Sequence, residues 1–319
     1  MTHAPGLVLG AWVKQEFESR YDATLKWFAP PEEMDYFLQR RRQGVTIDTD
    51  LYLGLTPSDL VRSDTGLSGE KTLFTDLDTS AISNVDNVVE KYRFDPKNRA
   101  IPVGASYVSL VYNQLMLDDR GVEAPETFDD LTSDPLENSL LVPNPQNSET
   151  GLEFLSWTIS QFGEDDYLDY WSDLTENGAT ILKDWSAAYS AYSEGEAPIV
   201  VSFSTDQVYA DRYDQNMQKH QVGFPDNQGY AYVEGVAPFA GTDKMDLAET
   251  FVDFILKPDV QAEIAQRNVG LPSVSNATLP ADYDDLVYTP DQVVSHSYDE
   301  LKGNMEPWLD EWSKQIAGK

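Results

Sequence analysis

Short apolar runs alternate along this chain with segments that have the hydrophobic spacing of amphipathic helices. Residues 50–55 (DLYLGL), 107–112 (YVSLVY) and 198–203 (PIVVSF) have the length and the β-branched or aromatic content of strands. Residues 151–162 follow a helical period instead, with apolar side chains at core-facing spacing. A chain that switches repeatedly between these two periods is predicted to fold as an α/β protein.

Helix start and stop signals support this pattern. Residues 30–33 and 56–59 place proline and acidic residues in a first helical turn, and three arginines, 40–42, suit the last turn of the first of these helices. Further strands are predicted at residues 25–29, 140–142 and 230–237, and further helices at 248–255, 259–266 and 306–316.

The 319 residues, 41% of them hydrophobic, are enough to bury the core of two lobes. No internal repeat or low-complexity linker separates two halves of the sequence. We therefore predict two lobes joined by strands that cross between them. Residues 1–105 with 238–319 would form lobe 1, and residues 106–237 would form lobe 2.

The net charge of −33, from 55 acidic and 22 basic residues, is spread along the whole chain. Such a surface repels nucleic acid and anionic lipid, so neither is expected as a partner. Distributed acidity is typical of proteins from high salt, where counterions screen the repulsion between the acids. The charge therefore indicates a halophilic source more than it indicates a function.

The chain has no cysteine, which excludes disulfides and thiolate chemistry. Its three histidines, His3, His220 and His296, lack metal-site spacing, so no metal site is predicted. No apolar run reaches the length of a membrane span, and no secretory signal is visible at the N-terminus.

Residues 183–209 combine several aromatic rings with two predicted helix starts. Ser186 follows Trp185 and could cap a helix with Tyr189, while residues 204–206 (STD) could cap a helix that carries Tyr209. Rings beside free backbone N–H groups indicate a pocket for a flat, polar or charged ligand.

The order and spacing of several motifs carry a family resemblance. The motifs are VKQEFE at 13–18, DLYLGL at 50–55, LVYN at 110–113, NPQNSETGL at 144–152, KDWSAAY at 183–189, SFSTDQVY at 202–209, VSNATLP at 274–280, and the pair Trp308 and Trp312. With these, the chain resembles the thiamine-binding subunit of ABC importers, a branch of the two-lobed extracellular solute-binding proteins. The resemblance implies a periplasmic-binding-protein-like fold of type II, with the ligand in a cleft between the lobes.

The resemblance also implies the site and the partners. The positions that match ligand contacts are Glu32, Glu33, Ser148, Glu149, Trp185, Phe203, Ser204, Thr205, Asp206 and Tyr209. The partners would be thiamine, or thiamine phosphates, and the membrane permease of an ABC importer. The protein would be a monomer outside the cell, held at the membrane through an N-terminal anchor missing from this chain. Neither catalysis nor a cofactor is expected.

The chemistry of these positions fits a cationic ligand. A cation over an aromatic face gains about 0.5–2 kcal/mol, which Trp185, Phe203 and Tyr209 could supply to the thiazolium ring of thiamine. Glu32 and Glu33 offer anionic acceptors for the exocyclic amine. Every position also fits a structural role, because rings pack in cores, serines cap helices and acids suit first turns.

Other functions remain open at this point. The same scaffold could bind a polyamine, ferric iron or a sugar, and paired tyrosines such as Tyr189 and Tyr192 would suit iron. A hydrolase with Ser148 or Ser204 as its nucleophile is a further alternative, although no G-x-S-x-G motif is present.

Two features depart from the family pattern. Relatives begin with a strand and a polar, aromatic loop before the VKQEFE-like helix, and this chain begins too late to include them. Glu149 stands where relatives carry a small neutral residue. An added carboxylate at a helix start should disfavour phosphate esters, so we expect a preference for unphosphorylated thiamine.

Overall fold

The computed structural model describes residues 4–30, 33–69, 71–281 and 283–317. Its helices in chain order are α1 (Ala4–Arg20), α2 (Glu33–Arg42), α3 (Pro57–Thr65), α4 (Gln114–Arg120), α5 (Glu149–Glu176), α6 (Trp185–Glu194), α7 (Asp206–Arg212), α8 (Met245–Ile255), α9 (Pro258–Asn268), α10 (Tyr283–Leu286) and α11 (Tyr298–Trp312). Its strands are β1 (Leu51–Leu55), β2 (Ile101–Tyr112), β3 (Leu140–Pro143), β4 (Thr180–Leu182), β5 (Ile199–Phe203), β6 (Gln221–Gly223), β7 (Gln228–Pro238) and β8 (Gln292–Val294). Within the described ranges, no helix is both long and apolar enough to cross a bilayer.

The chain divides into two compact units. Unit 1 comprises Met1–Ala105, Val233–Leu279 and Ser297–Lys302, and unit 2 comprises Ser106–Tyr232, Pro280–His296 and Gly303–Lys319. The limits differ from the predicted division in two places: residues 233–237 lie in unit 1, and most of the segment after residue 279 joins unit 2. The reason is its contact with α5: Trp308 Nε1 donates to a Glu164 oxygen at 3.1 Å, and the Trp312 ring meets Trp171 edge-to-face.

Unit 2 is built on a mixed sheet. β3 pairs in parallel with both β4 and β5, whereas β5 pairs antiparallel with the second half of β2. β6 also pairs with β2, and β8 pairs in parallel with the start of β7. Because parallel neighbours need crossover connections, α5 and α6 each link two of these strands. Val111, Leu141 and Val200 of the sheet pack with Ala188 and Tyr192 of α6 in one buried cluster.

Unit 1 has a short antiparallel pairing of β1 with the second half of β7. Its main core cluster packs Val13 and Phe17 of α1 against Phe251 and Phe254 of α8. The α/β class is therefore confirmed in both units. The strands predicted at 50–55, 140–142, 198–203 and 230–237 and the helices predicted at 248–255 and 259–266 are confirmed within a few residues of their limits, and the strand at 107–112 is the second half of the longer β2. The helix predicted at 151–162 is confirmed up to a break at Gly163, beyond which α5 continues to Glu176. The helix predicted at 306–316 begins eight residues earlier, at Tyr298, and its α-helical part ends at Trp312.

The strand predicted at residues 25–29 is wrong, because this segment has no regular structure. Its polar groups bond to α1 instead of to a neighbouring strand. The Leu25 amide donates to Glu18 Oε1 at 2.8 Å, and Lys14 donates to the Leu25 carbonyl. Trp27 Nε1 donates to the Gly10 carbonyl at 2.7 Å. The backbone of Leu25 is thus satisfied by α1, which ties the start of this segment to the helix and not to a strand.

Candidate functional site

Three helices of unit 2 begin at one edge of its sheet. Because β4, β3 and β5 are mutually parallel, their last residues, Leu182, Pro143 and Phe203, lie at the same edge, which we call the carboxyl edge. α6, α5 and α7 start three to six residues beyond these strand ends. Ligands of open α/β sheets bind at the carboxyl ends of the strands, so this edge is the candidate site.

Five aromatic side chains meet at the carboxyl edge, and we call them the aromatic wall. The Trp185 ring centroid lies 5.1 Å from that of Tyr189 and 5.9 Å from that of Phe203. Phe203 packs edge-to-face on Tyr232 at 4.9 Å, and Tyr189 does so on Tyr209 at 6.2 Å. All five are half-buried. The structure thus brings together the three predicted rings, Trp185, Phe203 and Tyr209, and adds two more.

The start of α6 fixes the indole of Trp185. Asp184, and not Ser186 as predicted, is the N-cap, because its Oδ1 accepts the amide of Ala187 at 2.9 Å. Trp185 is therefore the first helical residue. Its Nε1 donates to the buried Ser202 hydroxyl on β5 at 3.1 Å, which satisfies the polar atom of the indole and leaves its faces for stacking.

Asp206 is buried, and its two oxygens bond to groups of the protein. Oδ1 accepts the Tyr189 hydroxyl at 2.7 Å, and Oδ2 is 2.7 Å from His220 Nδ1. An ionised carboxylate has no proton, so Nδ1 carries the hydrogen of this second bond. Burial, and next the Asp206 charge, raise the pKa of Tyr189 well above its ordinary value. The carboxylate predicted to contact ligand is thus directed toward two neighbouring side chains.

Ser204 and Thr205 are buried in the turn between β5 and α7. Each of their hydroxyls lies 3.5 Å from that of Ser106, and the Ser204 amide donates to the Tyr107 carbonyl at 2.9 Å. Thr205 occupies the N-cap position of α7 without a side-chain capping bond, so the predicted cap does not form there. Both hydroxyls therefore face Ser106 of β2.

Ser148 and Glu149 lie where α5 starts beside the end of β3. Ser148 is the N-cap residue, with an extended backbone and no side-chain capping bond, and its carbonyl accepts the Leu152 amide at 2.9 Å. Both side chains are half-buried. The chain passes so close to β3 that a Cβ on Gly151 would lie 2.3 Å from the Pro143 carbonyl oxygen. Only glycine at position 151 allows the start of α5, which carries Ser148 and Glu149, to lie this close to β3.

The two remaining predicted positions belong to unit 1. Glu32 lies outside the described residues, and Glu33 is the first residue of α2. Their role stays a prediction.

Sequence reasoning left Tyr189, His220 and Tyr232 out of the ligand contacts, and it named Tyr189 only on a predicted helix and as a candidate iron ligand. Tyr189 could have been found, since it follows Trp185 by four residues and i, i+4 side chains share a helix face. His220 gave no signal: it is 14 residues from Asp206 in sequence and follows a 3-10 turn, Met217–Lys219. A single histidine is ordinarily a core or surface residue.

The side-chain geometry bears on the alternative functions. Among the described residues, no cluster of three or more histidine or acidic side chains could hold a metal ion. An iron site would need tyrosinates, whereas the Tyr189 proton is engaged by Asp206 and its raised pKa opposes ionisation. The Ser204 hydroxyl faces Ser106, and His220 is bonded to Asp206, so the part of the chain described does not form a serine nucleophile with a histidine base here.

The fold and this edge define a solute-binding protein, and sequence comparison agrees. Residues 15–289 match the model of the bacterial extracellular solute-binding protein family, so the chain belongs to that family. It is 26% identical over 309 residues to the thiamine-binding periplasmic protein of Escherichia coli K12, with 97% of this chain and 89% of that protein covered. The resemblance identified in the sequence is thereby confirmed.

Solved structures confirm the fold. A periplasmic thiamin binding protein superposes with a TM-score of 0.80 at 24% identity, covering 97% of this chain and 91% of that one. A periplasmic binding protein from Actinobacillus pleuropneumoniae, solved with fructose-6-phosphate, gives 0.79 at 18% identity, covering 97% and 95%. The solute-binding-protein fold predicted from the sequence is confirmed.

Proposed function

We propose that this protein captures thiamine outside the cell and passes it to the permease of an ABC importer. The observation that carries the proposal is the aromatic wall at the carboxyl edge, in a chain whose curated relatives are named thiamine-binding. The protein binds its ligand without turning it over, and it works as a monomer at the outer face of the membrane.

Thiamine matches the chemistry of the wall. Its thiazolium ring is a flat cation, and a cation over an aromatic face gains about 0.5–2 kcal/mol. Trp185, Phe203 and Tyr209 are half-buried, so each presents part of its ring to solvent. At low salt the net charge of −33 would attract a cation, but in molar salt charges more than about 3 Å apart are screened, so the local contacts of the wall carry the binding.

Polar groups at the same edge complete the proposed site. The start of α5 brings Ser148 to the carboxyl edge, where the first backbone N–H groups of that helix can hold the hydroxyl of thiamine, and Ser204 and Thr205 lie at the same edge. Glu32 and Glu33 would add anionic acceptors from unit 1.

Thermal unfolding in molar salt tests the proposal with four ligands: thiamine, spermidine, ferric citrate and fructose-6-phosphate. Thiamine at a hundredfold excess over its Kd should stabilise the wild type by about 2.7 kcal/mol, because it binds the folded state alone. Trp185→Ala should weaken thiamine binding, measured by calorimetry, by about tenfold or more, since one stacked face is lost.

Trp27→Ala is the matched control, because this indole lies in unit 1 and is 43% exposed. It should bind thiamine like the wild type. Stabilisation by ferric citrate or the sugar phosphate but not by thiamine would overturn the proposal in favour of another cargo. Hydrolysis of an added ester that Ser204→Ala abolishes would instead support the hydrolase hypothesis.

Glu149 should set the preference for the unphosphorylated vitamin. The wild type should bind thiamine more tightly than thiamine diphosphate, because a carboxylate in the first turn of α5 repels phosphate at that helix start. Glu149→Gln should improve diphosphate binding by about threefold to tenfold and change thiamine binding little. Calorimetry with both ligands measures the ratio.

Glu176→Gln provides the charge-matched control, since it removes one acid at the far end of α5, beyond the break at Gly163. It should leave the ratio of the two affinities unchanged. Tighter binding of the diphosphate by the wild type would contradict the prediction.

A further inference from the structure

Tyr189, Asp206 and His220 form a chain of two hydrogen bonds beside the aromatic wall. We propose that Tyr189 contacts the ligand through its phenolic oxygen and that His220 is a positioning residue for it. His220 would hold Asp206 so that the carboxylate accepts a hydrogen bond from the Tyr189 hydroxyl, leaving the phenolic oxygen to accept a hydrogen bond from the amino group of thiamine. The inference rests on the proposed function and names two residues of that site.

The count of protons supports this direction of bonding. Asp206 accepts only, so the Tyr189 O–H and the His220 Nδ1–H both donate to it, each at 2.7 Å. The Tyr189 oxygen is 3.4 Å from His220 Nδ1, a much longer approach than the bond to Asp206. With its single proton engaged, the phenolic oxygen has only lone pairs to offer a ligand. A charge-assisted bond also polarises the O–H group, which makes that oxygen a better acceptor.

The same three residues connect neighbouring members of the aromatic wall. Tyr189 packs on Trp185 on one side, with centroids 5.1 Å apart. His220 lies 6.2 Å from the centroid of Tyr209 on the other side. Asp206 joins the two, from the first turn of α7. Asp206 thus holds the Tyr189 ring of α6 directly and reaches Tyr209 of α7 only through the His220 ring.

His220 is itself held in place by backbone contacts. Its amide donates to the Met217 carbonyl at 3.0 Å, and Tyr192 of α6 donates its hydroxyl to the carbonyl of Lys219. Only 8% of His220 is exposed, so its ring has little freedom to leave Asp206. A buried donor fixed in this way is suited to orient a carboxylate.

Substitution of the two donors tests the inference by calorimetry with thiamine. Tyr189→Phe keeps the ring and removes the oxygen, and should weaken binding about tenfold, the effect of one hydrogen bond between polar groups in a desolvated site. His220→Leu should weaken it to a similar degree, and His220→Asn should restore most of the affinity because the amide nitrogen can replace Nδ1 as donor. The double variant Tyr189→Phe/His220→Leu should bind no worse than the weaker single variant.

A ligand analogue distinguishes loss of the bond between the Tyr189 oxygen and the amino group from a general loss of site structure. Oxythiamine carries an oxygen in place of the amino group and cannot donate in the same way, so Tyr189→Phe should leave its affinity unchanged while weakening thiamine. Tyr170→Phe is the matched control, because its buried hydroxyl donates to the Phe128 carbonyl at 3.0 Å. That variant should lose stability like Tyr189→Phe and keep the wild-type affinity for thiamine.

Several outcomes would overturn the inference. Equal losses for thiamine and oxythiamine in Tyr189→Phe, or equal losses in His220→Leu and His220→Asn, would make the network purely structural. A wild type that ignores thiamine would refute the proposed function instead. The positioning role is then decided by tryptophan emission without ligand, taken as the difference between each protein and its Trp185→Phe form because the chain has seven tryptophans. A shift in His220→Leu that His220→Asn reverses supports the role, and no shift refutes it.

Discussion

Replacing Arg99 by methionine should lower the free energy of unfolding by about 3–5 kcal/mol, the usual cost of removing one partner from a buried ion pair. The Arg99 guanidinium is 5% exposed and lies between two carboxylates of unit 1. It donates to both oxygens of Asp64, at 2.7 and 2.9 Å, and to both oxygens of Asp95, at 3.1 and 3.2 Å. Methionine fills similar volume but leaves both carboxylates without this partner. Urea unfolding in molar salt measures the loss.

The surroundings of the two carboxylates explain why the loss is large. Asp95 also accepts three backbone amides, from residues 97, 99 and 100, so it cannot turn toward water when Arg99 is removed. Tyr298, at the start of α11, donates its hydroxyl to Asp64. Burial, and next the bond to Asp64, raise the pKa of Tyr298 to about 12. This tyrosine therefore stays protonated as a donor through neutral pH.

The pH dependence of the Arg99 variant should follow from Asp64. Burial alone would raise the pKa of Asp64, but hydrogen bonds from Arg99 and Tyr298 hold it below the ordinary value of 3.8. In the wild type its contribution is therefore complete above 3.8 and is lost as the pH falls through the lowered value. In the variant the unpaired carboxyl takes up a proton at higher pH, so the difference in stability should narrow between pH 7 and pH 4.

Two further variants control this experiment. Arg40→Met removes an arginine that donates to the Thr46 carbonyl at the surface, and should change stability by less than about 0.5 kcal/mol. Adding Asp64→Asn to Arg99→Met should recover part of the loss, because one unpaired charge disappears. A loss below 1 kcal/mol, roughly the value of a surface ion pair, would show that these carboxylates are hydrated.

Much of the fold could be predicted because its signals are local. The strand at β5 is a short β-rich run, and α2 ends on three arginines, so each element is specified by its own residues. The segment at 25–29 has an equally apolar run, yet its backbone bonds to Glu18 and Lys14 of α1. The five residues themselves carry no signal of these bonds to α1, which is why the strand prediction failed there.

The site could be predicted in part, for a related reason. Trp185, Phe203 and Tyr209 stand at strand ends or helix starts, where local patterns place them at one edge of the sheet. The partners that orient them come from elsewhere in the chain: Ser202 for the indole, and His220 for Asp206. Long-range hydrogen bonds leave no periodicity in a sequence. The three rings of the wall could therefore be predicted, whereas the side chains that hold them in place could not.

Replacing Gly151 by alanine should destabilise the protein by about 3 kcal/mol, the upper part of the range for overpacking. The added Cβ would lie 2.3 Å from the Pro143 oxygen and 2.8 Å from the Asn144 carbonyl carbon. Both are backbone atoms at the end of β3, so no side chain can rotate away. Either α5 or the β3 end must shift. Urea unfolding, with Gly303→Ala in α11 as the matched control, measures the effect.

The control substitution is expected to raise the free energy of unfolding, whereas Gly151→Ala lowers it. The pair therefore separates the effect of steric overlap from the effect of helix propensity. Gly303 is exposed, within a helix, and a Cβ there would meet nothing within 4 Å, so alanine should stabilise by about 0.5–1 kcal/mol. The same substitution at Gly151 gains that propensity and still loses overall, because the close approach of α5 to β3 dominates. Since Ser148 and Glu149 begin that helix, the shift should also weaken thiamine binding, whereas Gly303→Ala should not. Loss of stability with unchanged affinity would mean that the start of α5 lies outside the thiamine site, and the proposed contacts of Ser148 and Glu149 would fall with it.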